Sequence, residues 1–581
     1  MSRTPFQYRC LLSRSYRIAL VVLALLLAAC QRPAPLPAAD GFDETASAHA
    51  RRIEADVRFL ADDLLEGREA GTRGFDLASL YLAQRMRAIG LRPAGDDASY
   101  FQRVPLLRAS REDDGGRLIV QRDTGTVELK FREQFLPQLD FDRAQSQVTA
   151  PAVFVGQAVH APELDHDDFA GIDLRGKIAV LMHGAPKRFD TDRRAFYSSF
   201  REKFRALVER GAVGAVIVAT QDEEKRQPWA RGAQNWAGPG MRLRGSDGRA
   251  IDTFPQLAVI ANVGAASADA VLTAGGHSAA ELFRDAREGT LRGFDLPGTI
   301  TLSARNWIEQ TQSRNVVALL PGTDAALKRE HVVFSAHLDH LGIGAPVKGD
   351  AIYNGALDNA LGVAIMLETA QQLALAKTPT KRSLLFVALT AEEKGLLGAE
   401  WFAQNPSVPR DSLVANINMD MPVMRVPTRD VVPIGVEHSS LQAVLAQAAG
   451  EVGVDLTPDP SPEESIFIRS DQYAFIRTGI PAVYLTGGMV ARDAGVDARQ
   501  QFRAFLADHY HQPDDDAEQP IQYADAARLA QLNARIGQLI ADAAQRPRWN
   551  DGDFFGQRFG GLDAGKPEAD ATPATVPSPS Q

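Results

Sequence analysis

The run Leu384-Leu385-Phe386-Val387-Ala388-Leu389 is six apolar residues long and stops, after Thr390 and Ala391, at two adjacent glutamates, Glu392 and Glu393. A run this short and this dry reads as a strand buried on both faces, as in a parallel sheet. Parallel strands need crossover connections, and the chain supplies them. From about residue 300 to 544, strand-like strings (HVVFSA, SLLFVAL, VANINM, PAVYLT) alternate with helix-like ones (GVAIMLETAQQLALA, SLQAVLAQAAGEVG, YADAARLAQLNARIGQLIADAAQ). That alternation specifies an α/β fold with a doubly wound, mostly parallel sheet. Ligands of such sheets gather at the carboxyl ends of the strands. Two carboxylates at that edge are costly unless something pairs with them or binds them, so the glutamate pair marks a candidate site.

Four other strings end strands or open turns with metal-type ligands. HVVFSA runs into His337-Leu338-Asp339, NGALDNALG carries Asp358, VANINM runs into Asp420, and LADHYHQPDDD carries His509, His511 and Asp514. Any one of these is ordinarily a capped polar group at a strand end. Together they flank strands of one expected sheet, which brings their side chains to one crevice. Asn359, at the tight turn before Gly362, reads as a helix cap.

The rest of the chain divides by pattern. Residues 1–29 have a basic start (Arg3, Arg9, Arg14, Arg17), an apolar run from Ile18 to Leu27 and small residues before Cys30, the signature of a secretory leader. The Pro- and Ala-rich residues 30–47 read as a tether. Residues 48–147 are helical to about Leu91 and then strand-like. Residues 148–295 read as a small α/β unit: AVFVGQAV, GKIAVLMHG, a helical AFYSSFREKFRALVERGA, VGAVIVAT and a closing FPQLAVIANV. Residues 296–545 hold the long strand–helix alternation, and 546–581 read as a disordered Gly/Pro/Ala/Thr tail. No repeat of 20–50 residues is present. The formal charge of −10 argues against a general nucleic-acid binder. It becomes −14 once the four arginines of the leader are removed. The only cysteines are Cys10 and Cys30, so the mature fold has neither a disulfide nor a thiol catalyst.

Several of these strings resemble known families. LAAC at Cys30 resembles the bacterial lipobox, and Gln31 after it implies the outer membrane; Cys30 would then carry the lipid, and the protein would sit in the cell envelope. VFVG, DLRGKIAVL and ERGAVGAVIVAT resemble the protease-associated domain, an insert in several exopeptidases. HLDHLG, GALDNALG, AEEKGLLG, NMD, RSDQYAF and YHQPDD resemble, in order and approximate spacing, the di-zinc exopeptidases, which include secreted bacterial leucyl aminopeptidases, glutamate carboxypeptidase and the catalytically dead transferrin receptor.

That resemblance implies the zinc exopeptidase fold with an inserted protease-associated domain. It also implies two zinc ions per chain, one held by His337 and Asp420, the other by Glu393 and His511, with Asp358 bridging. Such N and O ligands suit zinc and also admit cobalt or manganese. Glu392 becomes the general base that takes a proton from metal-activated water. Asp339 either fixes the His337 tautomer or caps a turn, and Asp514 would orient His511. Tyr510 either polarises the scissile carbonyl or is structural. Asp471 and Tyr473 lie on a loop resembling the substrate-side loop, with Gln472 where many relatives have His. The implied activity is removal of N-terminal residues from peptides. A carboxypeptidase, a one-zinc glutaminyl cyclase and a binding lipoprotein are the alternatives. The short stretch after Gln545, without the helical domain of the carboxypeptidase relatives, favours the aminopeptidase. The sequence leaves the oligomeric state open.

Overall fold

The computed structural model describes residues 47–273, 276–462 and 466–561. The expected leader, Cys30 and the tether up to Ala46 lie outside the described residues, as does the tail from residue 562.

The helical stretch at 48–91 resolves into α1 (Ala48–Leu60) and α2 (Arg73–Ile89). Their three- and four-residue apolar spacing places Ile53, Val57 and Leu60 of α1, and Phe75, Leu82 and Met86 of α2, in the core. The Thr72 side chain accepts the Phe75 N–H at the start of α2.

The strands follow. β1 (Phe101–Arg122), β2 (Gln145–Phe154) and β3 (Ile178–Met182) precede the helix α3 (Phe200–Glu209). Then come β4 (Gly214–Val218), β5 (Ile260–Val263) and the 27-residue β6 (Phe294–Leu320). Next are β7 (His331–His337), α4 (Leu361–Ala374), β8 (Ser383–Leu389), α5 (Leu397–Gln404) and β9 (Leu413–Asn418). β10 (Asp430–Ile434), α6 (Leu441–Val452), β11 (Ala482–Thr486), α7 (Ala498–Asp508), α8 (Tyr523–Asp542) and α9 (Phe554–Phe559) complete the chain.

These strands form one mixed sheet with two parallel blocks. In one block β2, β3, β4 and β5 run parallel in that order. In the other, the order is β8-β7-β9-β11, again parallel; β10 lies antiparallel to β11, and the two-residue strand Asp455–Leu456 pairs with β10 at the edge. β6 joins the blocks: it pairs antiparallel with β2 along its first half and with β8 from Val316 to Leu320. β1 pairs antiparallel with β6 from Thr299 to Val316. The boundary expected near 295 therefore falls inside β6.

Alternate residues of the β7–β9 block point to opposite faces. Val332, Phe334 and Ala336 enter a core with α1, α2, α4, α6 and α8, while Val333, Leu385 and Val387 pack against Ala399, Phe402 and Ala403 of α5. Helices on both faces explain why β7, β8 and β9 are buried at every position. Phe334 and Phe386 stack across neighbouring strands at 5.0 Å between centroids, and burying each ring contributes about 1.5–3 kcal/mol.

The chain after Gln545 departs from expectation. Residues 546–561 fold back onto the protein: the Trp549 indole N–H donates to the Gly479 carbonyl at 2.9 Å, and Phe555 and Phe559 pack with Phe196, Ile476 and Tyr473. The Gly- and Pro-rich composition of the whole stretch masked four aromatic side chains (Trp549, Phe554, Phe555, Phe559) able to bury themselves. No helix among the described residues is long and apolar enough to cross a membrane.

Candidate metal centre

The parallel register sets the site. His337, the last residue of β7, lies beside Leu389, the last of β8, and Ser335 lies beside Asn418, the last of β9. Glu392 and Glu393 therefore leave the sheet at the same edge as His337, and so does Asp420. Asp358 comes from the turn Ala356–Ala360 that leads into α4. Gly355 before it has φ 62°, and a Cβ there would lie 2.1 Å from the Asp358 carbonyl oxygen, so only glycine fits. The peptide bond between Asp358 and Asn359 is cis. His511 follows α7, itself at φ 57°.

Asp358 stands between two imidazoles. His337 Nε2 is 3.2 Å from Asp358 Oδ1 and 3.0 Å from Asp420 Oδ1. His511 Nε2 is 3.3 Å from Asp358 Oδ2 and 3.1 Å from Glu393 Oε2. A further histidine, His340, brings Nδ1 to 2.8 Å from Glu393 Oε1 and 4.0 Å from Asp358 Oδ2. Among the described residues, His511 Nε2, Glu393 Oε1 and both His340 ring nitrogens are buried without a hydrogen-bond partner. Orphaned polar atoms so close together are costly unless a cation completes them. Two overlapping groups can hold one: His337 with Asp358 and Asp420, and His340 with Asp358 and Glu393. Donors of N and O without sulfur, about 3 Å apart, fit zinc with its bonds of roughly 2.0–2.2 Å.

The two adjacent glutamates diverge. Burial raises the pKa of both, but the charges beside them differ. His511 and His340 hold Glu393 well below the usual carboxylate range. Glu392 has His337 as its nearest cation, opposed by Asp420, Glu393 and Asp471, and it is pushed well above that range. Its carboxylate hydrogen-bonds no other described residue. Burial disfavours the charged form of His511, yet Glu393 and Asp358 lift it to about 10.

The surrounding residues revise several expectations. The Asp339 carboxylate accepts the N–H groups of Glu392 and Glu393 at 3.1 and 3.3 Å, so of its two readings the turn cap is the one realised. His337 Nδ1 instead meets the Asp339 main-chain carbonyl at 3.1 Å. Asp514 does not reach His511; it lies 3.2 Å from His509 Nδ1. Its neighbour Asp515 is the buried one, accepting the N–H groups of Leu357 and Asp358. Three consecutive acids are alike in sequence, and only the turn geometry decides which faces inward. Asn359 is not a helix cap. Its amide donates to the Met419 carbonyl and accepts the Met421 N–H, clasping the loop on both sides of Asp420.

Tyr510 stacks on His511, with ring centroids 3.8 Å apart. Burial, then the charges of Asp358, Glu393 and Glu392, push its phenol well above its ordinary pKa. Asp471 is fully buried with neither carboxylate oxygen partnered, and burial pushes it upward beside His337 and Asp420. Tyr473 turns away from the centre into the aromatic cluster of Phe555 and Phe559, because its ring follows the apolar face of a short helix. Gln472 braces the end of β9, accepting from Asn418 Nδ2 at 2.9 Å.

Sequence reasoning missed His340 and Arg68. His340 is three residues after His337, a signal overshadowed by the HxD pair. Arg68 is fully buried and donates to the carbonyls of Leu60 at the end of α1, of Leu338 within His337–Asp339, and of Asn354 and Gly355 just before the Asp358 turn. Burial lowers its pKa to about 10 against the pull of Asp339, Asp515, Asp358 and Glu393. A lone arginine after a helix gave no sequence sign of this.

A histidine–carboxylate centre at the carboxyl ends of the strands of a two-sided α/β sheet is a site suited to a divalent cation. Residues 315–536 match the model of Peptidase family M28. The chain is 45% identical over 74 residues to a probable zinc metalloprotease of Pyrenophora tritici-repentis, covering 13% of this chain and 16% of that protein. It is 34% identical over 97 residues to the alkaline phosphatase isozyme conversion protein of Escherichia coli K12, covering 16% and 28%. These matches span less than a third of the curated relatives' length. The fold is similar to that of the aminopeptidase from Aneurinibacillus sp. strain AM-1, with a TM-score of 0.50 and 21% identity over 86% of this chain and 98% of that one.

Proposed function

We propose that this protein is a zinc-dependent aminopeptidase using two metal ions. The observation that carries the reading is Asp358, whose two carboxylate oxygens face different imidazoles, His337 and His511, at 3.2 and 3.3 Å. His337 and Asp420 would complete one ion, Glu393 and His511 the other. When bound there, zinc supplies Lewis-acid polarisation of a carbonyl and acidifies water toward neutral pH.

The protein's own groups do the rest. Glu392, adjacent to the ligands but not tied up by a hydrogen bond, accepts a proton from the attacking water and returns it to the departing amine. Such a base is worth roughly 10²–10⁴-fold in rate. Tyr510, kept protonated by burial and by the carboxylates around it, donates a hydrogen bond to the developing oxyanion. Glu392 or a carboxylate of the metal site offers negative charge for the α-ammonium group of a peptide, which favours N-terminal over C-terminal cleavage.

Residues 148–295 serve in this reading as a protease-associated insert, and lipidation at Cys30 anchors the protein in the outer membrane of a bacterial envelope. Cobalt or manganese fits the same donors. The test is metal analysis of the purified protein together with hydrolysis of peptides bearing free or blocked termini. The reading requires about two metals per chain and cleavage that stops when the amino terminus is blocked. A protein without metal, or cleavage blocked only at the carboxyl terminus, would overturn it.

A further inference from the structure

We propose that His340 is a direct ligand of the second metal ion, so that this ion has two imidazoles, His340 and His511, while the first has only His337. The inference rests on the two-ion reading above and adds a ligand that the motif-based set does not contain.

His340 is fully enclosed, yet neither ring nitrogen has a hydrogen-bond partner among the described residues. Its Nδ1 lies 2.8 Å from Glu393 Oε1, and that oxygen is also without a partner. The two atoms are at contact distance without meeting hydrogen-bond geometry. Leaving a buried donor or acceptor unmet is costly, and here both atoms of one contact are unmet. A cation reached by Nδ1, Glu393 and Asp358 Oδ2 satisfies them together.

The ring is placed deliberately. A Cβ on residue 355 would come within 2.5 Å of His340 Cγ, so the glycine that shapes the Asp358 turn also makes room for the imidazole. The main-chain N–H of His340 is anchored on the Arg68 carbonyl at 3.3 Å. His511 meets His340 edge-on, at 5.6 Å between centroids and 70° between planes, so the two rings approach Glu393 and Asp358 from different directions. The second ion then has four protein donors, the complement of a closed tetrahedral site. The first has three, His337, Asp420 and Asp358, and keeps a position open for water or substrate. The centre is thereby divided into a firmly held ion and a reactive one.

The test is X-ray absorption on the zinc-loaded full chain, read with chelator competition on His340→Phe, which keeps a ring and removes both nitrogens. The expected result is three imidazoles over the two ions in the wild type. In His340→Phe, one ion should bind about 100-fold or more weakly while the other is unchanged. An imidazole that only hydrogen-bonds Glu393 could also weaken the ion when removed, but it would not scatter from the coordination sphere. Two imidazoles over two ions, or wild-type affinity for both ions in the variant, overturns the proposal and leaves the two-ion reading intact. Failure of the wild type to take up a second ion overturns both. If His340→Phe does not fold, the wild-type imidazole count decides alone.

Discussion

The carboxylate of Asp515 receives the main-chain N–H of Asp358 at 3.0 Å and also that of Leu357 at 2.9 Å. The residue between the two imidazoles is thus held by its backbone from a loop that lies next to His511 in sequence. Asp515→Asn keeps one acceptor oxygen and is expected to fold, but to bind metal about 10–100-fold more weakly, as for other residues that support ligands. Asp515→Ala leaves two buried N–H groups unmet and should cost stability as well, about 1–3 kcal/mol per group. Chelator titration and thermal melting of both variants separate the two effects; unchanged metal affinity in either would remove Asp515 from a supporting role.

Glu392 and Glu393 should fail in different ways. Glu392→Gln is expected to retain its metal while kcat falls about 10²–10⁴-fold. Glu393→Gln is expected to lose metal together with activity. Elemental analysis alongside turnover reads both, and equal metal loss in the two variants would assign them the same role.

Arg68 offers a test of the support behind the site. Lysine at this position has three donors for the four carbonyls that the guanidinium now serves, and no planar fork. Arg68→Lys should lower stability by about 2–4 kcal/mol, seen as a lower denaturation midpoint. Metal should stabilise the variant less than the wild type, because the His337–Asp339 and Asp358 loops are less firmly placed.

His331, at the start of β7, gives a pH-dependent prediction away from the metal ligands. Burial lowers its pKa to about 4, against Glu330, which raises it, while Nδ1 lies 2.9 Å from the Ser412 hydroxyl. The unfolded chain takes up its proton near the ordinary value of about 6.5, before the folded protein does. Stability from this residue is therefore complete above pH ~6.5, declines as pH falls toward about 4, and changes no further below that. The total is about 2 kcal/mol after allowing for solvent screening. Melting curves of His331→Gln should be flatter than the wild type's across this window; parallel curves would contradict the assignment.

The strands and their dry interiors were legible because a strand buried on both faces must be apolar throughout, and few other structures tolerate such a run. The order of HLD, LDN, AEE, NMD and HYH along the chain was legible too, since each motif follows an element whose end the pattern marks. The aromatic cluster at 549–559 and the turn of Tyr473 away from the centre were not, because both depend on what packs against them.

By itself, the sequence determined the α/β alternation and the edge where the candidate ligands gather, which follow from local pattern and from where strands end. The choice of His337, Asp358, Glu393, Asp420 and His511 among the residues at that edge came from the resemblance of their motifs to the di-zinc exopeptidases. Only the tertiary structure decided that Glu392 and Glu393 part company, that Asp515 rather than Asp514 faces inward, and that His340 and Arg68 stand at the centre. Those outcomes depend on which buried polar atom meets which partner across hundreds of residues, a condition imposed by packing and desolvation that no local spacing encodes.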